Sequence, residues 1–196
     1  SQFVFNSLYS AESQSLLPLL IHHAHETGDY APLIIQGLAV SASGVYPGLL
    51  YTVACSEDAP LIDAAEAQRI DAGTTFGDFA TRFQAICADW PRAQIAADFR
   101  APLQSDIPTL LLSGAADPVT PPEYAERVAA GLSNSRHLVV SGYGHGVTGV
   151  GCMPKVIAQF IRGIDPAALD TACLEELQPP PFFVSFATSF DGREGF

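Results

Sequence analysis

Apolar positions in the first half of the chain recur at helical spacing. Between Ser13 and Glu26, the residues Leu16, Leu17, Leu20, Ile21 and Ala24 fall on one stripe of a 3.6-residue repeat, and Gly28 supplies a stop signal. Pro32 opens a second apolar helix through about Ser43, and Tyr46 to Cys55 reads as a third helix or an extended piece. Ala59 to Ala72, Phe76 to Cys87 and Pro91 to Ala97 are further helical segments, with Phe76, Phe79 and Phe83 spaced as core residues. From Leu8 to about Leu103 no alternating strand pattern interrupts this, so the first half is predicted to be nearly all helix.

The pattern changes at Ile107. Ile107 to Gly114 is a short, unbroken apolar run ended by glycine, as expected of a parallel strand covered on both faces. A helix follows, with Thr120 placed as its N-cap, Pro121 at the first helical position, Glu123 three residues after the cap and Gly131 at its end. His137 to Val140 reads as a second buried strand, then comes the glycine-rich turn Gly142-Tyr143-Gly144-His145-Gly146, then a helix from Pro154 to Ile161. Strand, helix, strand, loop and helix in that order predict a right-handed parallel crossover. Beyond Leu177 the tail has three consecutive prolines and Phe182 to Phe186, which reads as an added edge strand or a packed arm.

Composition narrows the partners. The 196 residues are 48% hydrophobic and 15% charged, enough apolar material for one sizeable core, or for one core and a small satellite. Twenty-one acidic residues against 9 basic ones give a formal net charge of −12, which opposes attraction to nucleic acid or anionic membranes. The longest apolar stretches, Thr109 to Leu112 and Phe182 to Phe186, are far short of the roughly 18 to 20 residues a membrane span requires. A peptide or small-molecule substrate, or another protein, is the expected partner.

Cys55, Cys87, Cys152 and Cys173 lack the close Cys/His spacing of zinc sites, so neither a metal nor a cofactor is expected. Sequence order suggests the pairs Cys55 with Cys87 and Cys152 with Cys173, while four cysteines allow three pairings and also four free buried thiols. A bond in either pair implies an oxidising compartment. His22, His23 and His25 point in different directions on a helix and have no third ligand nearby, so they do not make a metal site either.

Chemistry is concentrated at the ends of the two predicted strands. Asp117 follows the first and His145 lies in the loop after the second, and in open parallel sheets those loops line the ligand crevice. A carboxylate on one imidazole nitrogen fixes the tautomer and leaves the other nitrogen to take a proton from a hydroxyl. Taken singly, Asp117-Pro118 is a common turn dipeptide and a histidine among glycines is a common loop residue. Their joint placement at consecutive strand ends marks them as a catalytic pair.

Leu111 to Pro121, followed by Gly142-Tyr143-Gly144-His145-Gly146, resembles the C-terminal end of α/β-hydrolases. More narrowly, the chain resembles the tripeptidyl-aminopeptidase-like and proline-iminopeptidase-like serine exopeptidases. Three further stretches carry that likeness: Leu17 to Ile21 with Gly28 to Leu33, Val53 to Asp58, and Cys87 to Pro91. The resemblance runs from about Leu8 to about Cys173. It implies exported hydrolases that release single residues or short peptides from free N-termini, with Asp117 as triad acid, His145 as general base, and Cys152 paired with Cys173. The fold class it implies is α/β, a helical lid over 1–100 followed by the last strands and helices of an α/β-hydrolase parallel sheet over 101–180, with a tail over 181–196.

The chain departs from that family in one large respect. It has no Gly-x-Ser-x-Gly, and its nearest serine cluster, Ser41-Ala42-Ser43-Gly44, lies in the helical half without the strand a nucleophile elbow needs. The fold is therefore expected to be incomplete, with the nucleophilic serine and oxyanion hole on the N-terminal part of the same enzyme, or with the piece associating with itself. Ser1 in place of Met agrees with a chain cut or processed at its start. Glu57 and Asp58 are candidates to receive a substrate's α-ammonium group, or are ordinary solvated acids at a helix end. Tyr143 and Trp90 are candidates for lining the pocket, Trp90 reading more simply as a packed anchor. The expected activity is a secreted or periplasmic serine exopeptidase as the whole protein, with this chain alone inactive. An esterase on the same fold and a non-catalytic binding module are the rival readings.

Overall fold

In a computed structural model the described residues are 2–41, 46–75 and 77–186. Phe76, most of the Ser41 to Gly44 cluster, and the tail beyond Phe186 lie outside them. The described chain forms two compact units. Residues 46–101 make one, and Phe3–Ser41 joins the chain from Pro102 onward in the other. The helical half expected over 1–100 is thus divided near residue 41, Phe3–Ser41 being grouped with the chain from Pro102 onward.

In the strand-bearing unit, α1 (Gln2–Ser7) leads into α2 (Ala11–Thr27). Ser10 caps α2 by accepting from the Ser13 N–H at 3.2 Å, and Gly28 ends it in the left-handed region with φ 71°. Its buried line is Ser13, Leu17, Leu20 and Ala24, whereas Ile21 is exposed. Counting apolar residues therefore overestimates the width of the buried stripe. α3 (Ala31–Ser41) completes this part.

Beyond residue 102, β1 (Thr109–Gly114), α7 (Pro122–Ala129), β2 (Ser135–Val140) and α8 (Met153–Gly163) follow in the predicted order. β1 and β2 pair in parallel, with Leu112 opposite Leu138 and Gly114 opposite Val140, so their carboxyl ends are level. The core is built of Leu138, Val140, Val147, Met153, Val156 and Leu169, with Leu110, Leu112, Ile157 and Phe160 packed against it. Met153, Val156, Ile157 and Phe160 lie at i, i+3, i+4 and i+7, the apolar face that docks α8. The Cys152–Cys173 disulfide ties the start of α8 to the 3₁₀ turn Ala172–Leu174, and the Arg136 guanidinium donates to the Leu169 carbonyl and the Thr171 hydroxyl. The segment after Leu177 forms no strand among the described residues; it is a packed arm whose Phe183 N–H donates to the Ser15 carbonyl on α2.

The other unit holds α4 (Pro47–Glu57), α5 (Ala64–Ala72) and α6 (Phe79–Asp89), with a 3₁₀ turn at Ala59–Leu61. Cys55–Cys87 joins α4 to α6 at the centre of a small core with Ala59, Tyr51, Phe83 and Trp90. Trp90 is an anchor here: its ring lies 5.3 Å from that of Tyr51 and its N–H donates to Thr52. Asp71 caps α6, accepting from the Ala80 and Thr81 N–H groups and the Thr81 hydroxyl. On α6 Ala80 and Cys87 face inward and Phe79 is 71% exposed, contrary to its expected place in the core. Residues 91–97 are not helical: Pro91 follows the end of α6, and the Ala93 N–H is spent on the Ser56 hydroxyl.

Met153 is fully buried in the strand-bearing core, so Met153→Ala is expected to lower the protection of the β1 and β2 amides by about 2–5 kcal/mol in hydrogen exchange. Phe79→Ala, at an exposed position of the other unit, is expected to leave them unchanged. Equal effects from the two would contradict this assignment of the core.

Candidate active site

The register of the strand pair decides where Asp117 and His145 can meet. Just past β1, the Ala115 N–H donates to the Val140 carbonyl and the Ala116 N–H to the Tyr143 carbonyl, both at 2.9 Å, lacing the loop after β1 to the loop after β2. Gly114 is needed at this crossing, since a Cβ there would run into the carbonyls of Tyr143 and Gly144. Gly144 is needed next to it, since a Cβ would lie 2.5 Å from the Tyr9 carbonyl oxygen and 2.8 Å from that of Leu8. Two chain segments approach too closely for any side chain, and the imidazole is delivered between them.

His145 Nδ1 lies 2.9 Å from Asp117 Oδ2 across 28 positions of sequence. The Asp117 side chain is 4% exposed and that of His145 is 40% exposed, so the carboxylate is enclosed while the ring opens to solvent. Asp117 Oδ1 accepts from the N–H groups of Val119 at 2.8 Å and Thr120 at 2.9 Å, and Oδ2 accepts from the Thr120 hydroxyl at 2.9 Å. Burial by itself raises the pKa of this carboxyl. The Thr120 and Val119 amides, the imidazole and the Thr120 hydroxyl together outweigh burial and hold it below the ordinary aspartate value.

With Nδ1 engaged by the carboxylate, Nε2 makes no hydrogen bond among the described residues. A neutral imidazole held this way presents a lone pair at Nε2 that can take a proton. Tyr9 packs against the ring, 5.4 Å between centroids and nearly edge-on. A histidine–serine contact elsewhere, His137 Nε2 to Ser113 Oγ at 2.9 Å, lies within the strand pair on a buried serine and has no carboxylate partner among the described residues.

The remaining candidates divide. Tyr143 gives its hydroxyl to the Gln178 carbonyl at 3.0 Å and its ring to the core, so its polar group is already engaged and it anchors the tail. Asp58 is an exposed acid 3.7 Å from Arg100, and Glu57 borders a shallow groove with Arg92 and Arg100; both belong to the unit over 46–101. His23 lies 3.6 Å from Asp29 and His25 3.9 Å from Glu26, and among the described residues no group of three or more His, Cys, Asp or Glu could hold a metal ion. Both disulfides have the pairing that sequence order suggested.

Thr120 and Tyr9 are the site residues that sequence reading missed. Thr120 is not a helix cap, because its hydroxyl is drawn to the charged Asp117 carboxylate, a stronger acceptor. Pro121 takes the N-cap position instead, with no side-chain bond, and Pro122 takes the first turn. The three-residue spacing from Asp117 was the available signal. Tyr9 has none, since it reaches the site only through the close approach of residues 8 and 9 to the loop after β2.

A family model described as TAP-like protein matches residues 73–173, a stretch that contains Asp117, Thr120 and His145. No curated protein and no solved structure matches the chain.

A carboxylate whose folded pKa lies below its unfolded value stabilises the fold above the unfolded value, about 3.9 for Asp, and loses that contribution as pH falls through the lower folded value. Carbon-13 titration of Asp117 is therefore expected to give a midpoint below about 3.9, and Asp117→Asn is expected to flatten the acid limb of stability between the two values. A midpoint at or above the ordinary value would mean that burial outweighs the donors.

Proposed function

Because the chain belongs to the TAP-like family of α/β-hydrolases, we propose that it contributes the acid and the histidine of a serine hydrolase, and that the nucleophilic serine lies outside it. The observation that carries this reading is the Asp117–His145 contact at level strand ends, with Nε2 open. Asp117 orients the ring and stabilises the imidazolium. His145 Nε2 takes the serine proton as the hydroxyl oxygen attacks the scissile carbonyl, then gives that proton to the leaving amine as the tetrahedral intermediate collapses to an acyl-enzyme. Water, deprotonated by the same nitrogen, releases the acid product and restores the serine.

The substrate class we propose is a peptide with a free N-terminus, cleaved to release single residues or short peptides, with Glu57 and Asp58 as candidate acceptors of its ammonium group. The N-terminal part of the same enzyme is the proposed partner. Among the described residues β1 and β2 are each paired on one side only, and a two-stranded parallel sheet is a small fraction of what this fold requires. The unit over 46–101 is read as the lid. Two disulfides support an exported protein, secreted or periplasmic, and no helix among the described residues is long and apolar enough to cross a membrane.

The test is a substrate panel on the native assembly: peptide anilides with free and with acetylated N-termini, beside simple esters. Free-amine peptides are expected to be cleaved and their acetylated counterparts spared, with His145→Gln lowering kcat about ten-thousand-fold or more. Preference for esters would replace the exopeptidase reading with an esterase. A fully active His145→Gln variant would remove the histidine from the mechanism.

A further inference from the structure

The hydroxyl of Thr120 stands between the two members of the proposed pair, 2.9 Å from Asp117 Oδ2 and 3.2 Å from His145 Nδ1. A threonine hydroxyl has one proton and two lone pairs, so the direction of each contact can be worked out. Nδ1 lies 2.9 Å from the carboxylate oxygen and must carry a proton to bond to it. It cannot also accept one. The hydroxyl proton therefore goes to Oδ2, and a lone pair of the same oxygen faces the Nδ1 proton. Among the described residues the partners of this hydroxyl are the carboxylate and the imidazole, and the helix that follows takes Pro121 as its N-cap.

We infer that Thr120 is a positioning residue that holds His145 in the tautomer with the proton on Nδ1, keeping the Nε2 lone pair available. A flipped ring would turn a C–H toward the carboxylate, and the other tautomer would turn a bare nitrogen lone pair toward it; either loses the Nδ1–H bond to Asp117. The backbone N–H groups of Val119 and Thr120 hold the other carboxylate oxygen, so loss of the hydroxyl leaves the loop anchored and acts on the ring. The consequence for catalysis rests on the hydrolase reading; the consequence for the tautomer does not.

The experiment is nitrogen-15 NMR of the His145 imidazole in the 196-residue chain, assigned by loss of its signals in His145→Gln, for the parent, Thr120→Ser and Thr120→Val. Thr120 is exposed, and amide spectra report folding, with Thr120→Ala as a second hydroxyl-free variant. The parent and Thr120→Ser are expected to hold the Nδ1–H form. Thr120→Val and Thr120→Ala are expected to lower its ratio to the Nε2–H form about fivefold, the size of one net hydrogen bond. In the native assembly the same two variants should lower kcat without changing KM, and serine should restore it. An unchanged tautomer ratio in both hydroxyl-free variants overturns the inference even if the assembly is an active hydrolase. A shifted ratio in a protein without hydrolase activity supports the positioning role and overturns the hydrolase reading alone.

Discussion

One enclosed carboxylate organises the candidate site. Asp117 collects two backbone amides, a hydroxyl and an imidazole, and each donor fixes a different piece of structure. The amides of Val119 and Thr120 shape the loop before α7, the Thr120 hydroxyl steadies the ring, and the imidazole brings in the loop after β2. A buried carboxylate is costly unless it is hydrogen-bonded, so the donors and the charge require one another. The net fall in the pKa of Asp117 expresses that balance, because its donors win over burial.

The geometry is available because the strands deliver it. Level carboxyl ends of β1 and β2 put the two loops side by side, and the backbone bonds from Ala115 and Ala116 lace them together. Beneath them α8 closes the core through Met153 and Val156, and Val147 fixes the chain two residues after the histidine. Nothing in this chain of support depends on a nucleophile being present. The contact between the acid and the histidine is made by residues of this chain alone.

Much of this was legible in the sequence because it is local. The unbroken run ending at Gly114, the His137 to Val140 run and the glycines around His145 carry their own structural instructions, and the strand, helix, strand order placed Asp117 beside His145. What was not legible depends on contacts distant in sequence or on competition for one group. Thr120 has the form of a helix cap, yet its hydroxyl is taken by a charged acceptor. Ile21 and Phe79 are apolar but lie outside the buried lines of their helices. The grouping of residues 3–41 with the strands, and Tyr9 with His145, follows from tertiary packing that helical periodicity does not encode.

The central claim is that Asp117 and His145 activate a serine that this chain does not carry. Treatment of the native purified assembly with a fluorophosphonate, followed by intact mass of every polypeptide present, tests it most directly. The account predicts one phosphonate adduct on a serine outside residues 1–196 and none within them, with the adduct lost in His145→Gln. An adduct on a serine within residues 1–196, or labelling that persists without the histidine, would contradict it.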